Sequence, residues 1–165
     1  MAQITLKGNP IHTSGNLPGK GSKAPGFTLT TGSLEDVSLE TYRGKKKILN
    51  IVPSLDTGVC AASAKTFDRR AHTLENTVIL TISHDLPFAM QRFCQAEGVN
   101  NVVTLSAFRS GGFGRDYGVE IIDGPMKGLL SRAVVILDEE NRVIYTEQVP
   151  EITQEPDYDA AVAAL

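Results

Sequence analysis

The stretch PSLDTGVC, residues 53–60, sets Pro53, Thr57 and Cys60 at offsets of 0, 4 and 7. Directly before it runs the apolar segment KILNIV, and directly after it AASAKTFDRRAHTLEN, which has helical spacing. A cysteine at such a junction lies where the unpaired N–H groups of a helical first turn point at its sulfur. That position favours a thiolate, the form of cysteine that attacks electrophiles. Thr57 offers a hydroxyl for the sulfur or for an oxygen of a bound substrate. Pro53 has no N–H to contribute and walls off water on one side. Together they describe a pocket for a small polar oxidant, met end-on by sulfur. The spacing also has a plainer meaning. Cys60, Ala64, Phe67, Ala71 and Leu74 fall at offsets of 0, 4, 7, 11 and 14. On such a stripe a cysteine serves equally well as a small apolar filler. Periodicity alone leaves that choice open.

The elements that must position these residues follow from the flanking pattern. KILNIV (47–52) and TVILTIS (77–83) are continuous aliphatic runs, as expected of strands buried on both faces. With the helix between them they form a βαβ unit, so the two strands are parallel. LPFAMQRFCQAEG reads as a second helix, with proline at its start and Gly98 past its end, followed by the strand NVVTL. SGGFGRDYGV, with four glycines, is at most a short helix. AVVILDEENRVIYTEQV reads as two strands around a polar turn, and EPDYDAAVAAL as a closing helix. At the other end, ITLKGNPIHTSG predicts a hairpin turning at Gly-Asn-Pro, and FTLTT a short strand. No repeat or linker interrupts the chain, so residues 1–165 are expected to form one α/β domain with mixed strand directions.

Composition removes several classes of function. A chain of 165 residues with 41% hydrophobic and 21% charged residues is an ordinary globular length and mixture. Its net charge of −3 leaves no electrostatic footprint for nucleic acid. The basic cluster Arg43 and Lys45 to Lys47 reads as a solvated entrance to the following strand. No apolar run approaches the ~18 residues of a membrane helix. MAQITLKGNP has neither a charged n-region nor an apolar h-region, so a cytoplasmic protein is expected. In that compartment a disulfide is more often catalytic or redox-sensing than structural, and the chain holds two cysteines, Cys60 and Cys94. His12, His72 and His84 show no ligand spacing, so no metal is assigned.

At the junction itself the sequence resembles the peroxiredoxin family, whose active-site signature P-x-x-x-T-x-x-C is present as Pro53, Thr57 and Cys60. The resemblance is closest to the thiol peroxidase subgroup, the atypical 2-Cys peroxiredoxins of bacteria. It extends through LNIVPSLDTGVCAASAKTF, FCQAEGVNNVVTLSAFR, DGPMKGLLSRAVVILDE and EITQEPDYDAA, essentially the whole chain. It implies a thioredoxin-like fold: a central mixed sheet flanked by helices, with an N-terminal β-hairpin. It implies that Cys60 is the peroxidatic cysteine, cutting the O–O bond of hydrogen peroxide or an organic hydroperoxide, and that Cys94 is the resolving cysteine of a Cys60–Cys94 disulfide. Arg132 would hold the thiolate and orient the peroxide, Thr57 would hydrogen-bond the reacting oxygen, and Pro53 would shield it. Thioredoxin would be the reductant, no cofactor would be needed, and a homodimer is the common assembly. Without the resemblance, Arg132 reads as a surface ion-pair partner and Cys94, beside Phe93, as core filling.

Other functions use the same thiols. A dithiol–disulfide oxidoreductase normally carries C-x-x-C, whereas Cys60 and Cys94 lie 34 positions apart. A peroxide sensor handing its disulfide to a partner protein stays compatible with the sequence. A structural disulfide of this loop length contributes about 3–4 kcal/mol but suits an oxidising compartment. A disulfide also needs Cα atoms within about 4.4–6.8 Å. Cys60 and Cys94 belong to different helices, so the first turn of the Cys60 helix is expected to unwind before they join.

Overall fold

The computed structural model describes residues 1–165. Strands β1 (Gln3–Leu6) and β2 (Asn9–His12) form an antiparallel hairpin. Its turn is Lys7–Gly8 rather than the expected Gly-Asn-Pro. Both turn residues have positive φ, 51° and 81°, which matches the twist of the strands they join. Pro10 then lies in β2, at an exposed position that tolerates it.

Seven further strands build one sheet: β3 (Thr28–Thr31), β4 (Asp36–Ser38), β5 (Lys46–Ile51), β6 (Thr77–Ser83), β7 (Val103–Ser106), β8 (Ala133–Leu137) and β9 (Val143–Gln148). Their order is β4-β3-β7-β6-β5-β8-β9. β5, β6 and β7 run parallel, and the remaining pairs are antiparallel. The mixed sheet agrees with the sequence expectation. β4 does not appear there, because three residues are too few to display a period of two.

The helices are α1 (Gly58–Arg70), α2 (Pro87–Glu97), α3 (Phe113–Asp116) and α4 (Tyr158–Ala163). Along β5, Ile48 packs with Phe67 of α1 and Ala161 of α4. Leu49 and Ile51 turn to the opposite face, joining Phe27, Phe113 and Tyr117. Both faces of the strand are covered, which is why its sequence is apolar without interruption. α1 is shorter than its stripe: Ala71–Thr73 tighten into a 3₁₀ turn and Leu74 is extended. α2 stops at Gly98, whose φ of 67° makes the left-handed cap.

One basic residue departs from the solvated reading. Lys47 is fully buried, its Nζ donating to the Lys45 carbonyl at 3.0 Å and to Asn141 Oδ1 at 2.7 Å. The alternation of β5 turns it inward, and the β8–β9 turn supplies its acceptor.

The hairpin is fastened to the C-terminal segment. Thr5 N–H donates to the Pro150 carbonyl at 2.8 Å, and Ile152 N–H donates to the Thr5 carbonyl at 2.9 Å. Ile4, Ile11, Ile121 and Ile152 pack together beneath it. The Glu151 carboxylate accepts from the backbone of Thr153 at 3.0 Å and of Gly8 at 2.8 Å, and from the Thr5 and Thr153 hydroxyls. The backbone donors of Thr153 and Gly8 hold its pKa at about 2, below the ordinary 4.5. A depressed carboxyl pKa stabilises the fold above its unfolded value and loses that effect as pH falls through the folded one. Denaturant midpoints of the parent protein and Glu151→Gln should therefore differ most above pH 4.5 and converge towards pH 2. A gap that stays constant across that range would contradict this role.

Candidate active site

β5 ends at Ile51, and residues 53–57 carry the chain from the sheet to α1. Pro53 is buried at the start of this loop, and Thr57 is the N-cap of α1, extended at φ −126° and ψ 148°. Cys60 is the third residue of the helix. Its side chain is wholly buried with Val52, Leu55, Ala64 and Met90, and Phe93 packs against the group. The thiol therefore occupies the apolar stripe and the first turn together, joining the two readings that periodicity left open.

β8 brings the second component. Its antiparallel register pairs Ala133 with Ile51, so Arg132 comes alongside the end of β5, next to the loop. Arg132 is 3% exposed. Its Nη2 donates to Cys60 Sγ at 3.2 Å and its Nε to the Ile152 carbonyl at 2.8 Å. The third nitrogen, Nη1, is buried without a partner. An unpartnered donor on a buried cation is costly in a finished core. Here that donor lies on the same guanidinium that touches the Cys60 sulfur.

Thr57 does not touch the sulfur here. Its hydroxyl donates to the Ser54 carbonyl at 3.1 Å, and the side chain makes no cap bond to the helix. The first-turn N–H groups thus have no side-chain competitor for an anion. The structure brings Cys60 and Arg132 together and sets Pro53 and Thr57 at the two ends of the adjoining loop.

Cys94 is kept apart. Both cysteines are free thiols. Cys94 is half-buried on α2 and packs with the cluster of Phe67, Val99 and Val102, whereas Met90 and Phe93 are the α2 residues that reach the Cys60 cluster. Burial pushes the Cys94 thiol pKa up; a hydrogen bond from Thr104 opposes this, and the nearby Asp68 adds to it. A raised thiol pKa lowers the share of thiolate, the nucleophilic form. A groove of about 730 Å³ runs between the loop and α2, lined by Leu55, Asp56, Leu86, Phe88 and Phe93, and does not include Cys60.

Sequence reasoning missed Asp85. It lies two residues before Pro87 and gives α2 no side-chain cap. Its carboxylate instead accepts from Ser54 Oγ and from Leu55 N–H, both at 2.7 Å. Nothing in a linear pattern joins positions 85 and 54.

With this geometry, the comparisons with known proteins become decisive. The Redoxin family model matches residues 19–162. The chain belongs to the Redoxin family. It is a homologue of thiol peroxidase: the protein of that name from Mycobacterium tuberculosis is 58% identical over 165 residues, covering 100% of this chain and 99% of the relative. A peroxiredoxin-like protein from Aquifex aeolicus superposes with a TM-score of 0.93 at 38% identity, over 99% of this chain and 95% of that one. Thiol peroxidase from Chromobacterium violaceum shares the fold, with a TM-score of 0.91 at 24% identity over 98% and 93% of the two chains. No helix is long and apolar enough to cross a membrane. The thioredoxin-like fold expected from the motif blocks is the one found.

The burial of Cys94 sets a pH-dependent expectation. In a Cys60→Ser protein, alkylation of Cys94 by iodoacetamide should keep rising with pH after an unstructured cysteine peptide has levelled off. Mild urea that opens α2 should remove the difference. Identical profiles in native buffer would show that burial does not control this thiol.

Proposed function

We propose that this chain is a thiol-specific peroxidase acting on hydrogen peroxide and organic hydroperoxides, with Cys60 as the peroxidatic cysteine and Cys94 as the resolving one. The observation that carries the reading is the Arg132 guanidinium, with one nitrogen on the Cys60 sulfur, one anchored on a carbonyl and one vacant. The thiolate of Cys60 attacks the terminal oxygen of the peroxide. The O–O bond breaks, the displaced oxygen takes a proton and leaves as water or alcohol, and Cys60 becomes a sulfenic acid. Negative charge shifts from sulfur to oxygen in this step. A buried guanidinium and free first-turn N–H groups stabilise that charge without reorganising. Thr57 at the rim of the helix supplies a hydroxyl to the peroxide oxygen once it turns from Ser54, and Pro53 excludes water.

Resolution follows. The Cys94 sulfur attacks the sulfenic sulfur, the hydroxyl leaves as water, and the Cys60–Cys94 disulfide forms. The separate packing of the two thiols requires α1 to lose its first turn and α2 to loosen around Cys94. A dithiol reductant, thioredoxin in this reading, then takes the disulfide and returns both thiols. No metal or organic cofactor enters the cycle. The subgroup resemblance, together with the exposed Leu86, Phe88 and Phe108, supports a homodimer. A redox-catalytic rather than structural use of the two cysteines supports a cytoplasmic setting, and the whole of residues 1–165 acts as one domain.

Turnover of hydroperoxide with thioredoxin, its reductase and NADPH as the sole electron source tests the reading. The parent protein should sustain it; Cys60→Ser should abolish it. Cys94→Ser should complete one oxidation and then stop, leaving a sulfenic acid that a dimedone-type probe traps or that overoxidises. Equal loss of the first oxidation in both variants would overturn the division of roles. Amide exchange around residues 60–64 should be slow when reduced and faster in the disulfide form, and unchanged exchange would defeat the proposed unwinding.

A further inference from the structure

We infer that Asp85 is a positioning residue that locks the 53–57 loop in its reactive form and makes the opening of α1 and α2 a single event. The inference rests on Cys60 being the reacting thiol. Within the loop, hydrogen bonds are local: Asp56 N–H donates to Ser54 Oγ at 3.1 Å and the Thr57 hydroxyl to the Ser54 carbonyl. The hydrogen bonds that tie residues 53–57 to anything outside the loop and α1 go to one group, the Asp85 carboxylate. Its Oδ1 accepts from Ser54 Oγ and its Oδ2 from Leu55 N–H, both at 2.7 Å.

Asp85 is itself fixed from behind. Ser83 Oγ donates to Oδ2 at 2.7 Å and accepts from the Asp85 N–H at 3.1 Å. The Asp85 carbonyl accepts from Ser106 Oγ on β7. The clamp is thus mounted on the ends of two buried strands, β6 and β7, and closes on the loop in front of it. Short bonds from donors to an ionised carboxylate are the stronger kind.

Its place in the chain gives the clamp a second effect. Leu86, the next residue, is the N-cap of α2, and its carbonyl accepts the Met90 N–H at 3.1 Å. Met90 is fully buried against Cys60. The carboxylate that holds the loop before the peroxidatic cysteine is therefore one residue from the N-cap of the helix that carries the resolving one. Releasing the loop frees Asp85 and loosens the start of α2; moving α2 withdraws Met90 from Cys60 and pulls on the loop. The two segments that must open for the disulfide to form share one fastening.

The test uses Asp85→Ala, Asp85→Asn and Ser54→Ala, each in the full chain. Two quantities are read: the rate constant for hydrogen peroxide oxidising Cys60 in a Cys94→Ser background, followed by mass, and amide exchange in the reduced protein. Misplacing a reacting group by about 1 Å costs on the order of 10²-fold in rate, so Asp85→Ala should oxidise up to that much more slowly. Asp85→Asn keeps one acceptor and should fall between it and the parent. Ser54→Ala should shift both readouts in the same direction by a smaller amount. Exchange should quicken together in residues 54–62 and 86–94, with β5, β6 and β8 still protected. An oxidation rate in Asp85→Ala within twofold of the parent would overturn the positioning role. Faster exchange confined to 54–62 would overturn the coupling, and faster exchange across the sheet would reduce Asp85 to a general stabiliser. Failure of the parent background itself to oxidise at Cys60 would fall on the peroxidase reading, not on the clamp, whose exchange signature is independent of peroxide.

Discussion

A guanidinium that is 3% exposed must find its partners inside the protein. Arg132 finds two, the Ile152 carbonyl and the Cys60 sulfur, and leaves one nitrogen unused. Stranding a charge in a core without a full complement of partners is among the costlier things a fold can do. Much of the architecture bears on keeping this one in place. The β5–β8 register sets Arg132 beside the end of β5. The hairpin and the Glu151 carboxylate pin the segment that presents the Ile152 carbonyl. α1 delivers the sulfur from the other side. The contact joins residues 72 positions apart, and neither could hold the geometry alone.

Around this contact the molecule divides its two thiols between two packing environments. Cys60 is enclosed with Met90 and Ala64, and Cys94 lies half-buried by Thr104 with its thiol pKa pushed up by burial. Such an arrangement keeps the second sulfur out of the packing around the first. In the proposed cycle the cost falls on the later step, since a disulfide requires Cα atoms within about 7 Å. What would yield in that cycle is a helix first turn without a side-chain cap and a loop whose outward ties meet at one carboxylate. Helix ends open at lower free energy than the sheet on which they rest. Rigidity at the strands and compliance at the helix starts are thus placed where the two halves of the proposed cycle would need them.

A buried polar chain beneath α1 points the same way. Asn50 on β5 donates to Ser63 Oγ at 3.3 Å, and Ser63 donates to the Cys60 carbonyl at 3.0 Å. A serine bonded back to the preceding turn competes with the helix's own N–H donors. Close packing is likewise strict away from the site. Gly118 has a φ of 68°, and a Cβ there would stand 2.1 Å from the Asn16 carbonyl oxygen, so glycine alone fits.

Local pattern was enough to read the main elements and to single out Cys60 as the candidate reactive position. Strands covered on both faces need uninterrupted apolar runs, and helices need a stripe with punctuated ends, so β5, β6, α1 and α2 were legible from local pattern. Pro53, Thr57 and Cys60 are close in sequence, and their spacing is a local fact too. What tertiary structure decided is everything that depends on register between distant strands. That Arg132 is buried on the sulfur, that Ile152 offers it a carbonyl, that Lys47 points inward, and that Asp85 reaches across to Ser54 are all long-range meetings. No periodicity encodes them, because each hydrogen bond is fixed by which strand lies beside which and at what offset. The hairpin turn and β4 escaped for the opposite reason: two or three residues carry too little pattern, and neighbouring chain settled their conformation.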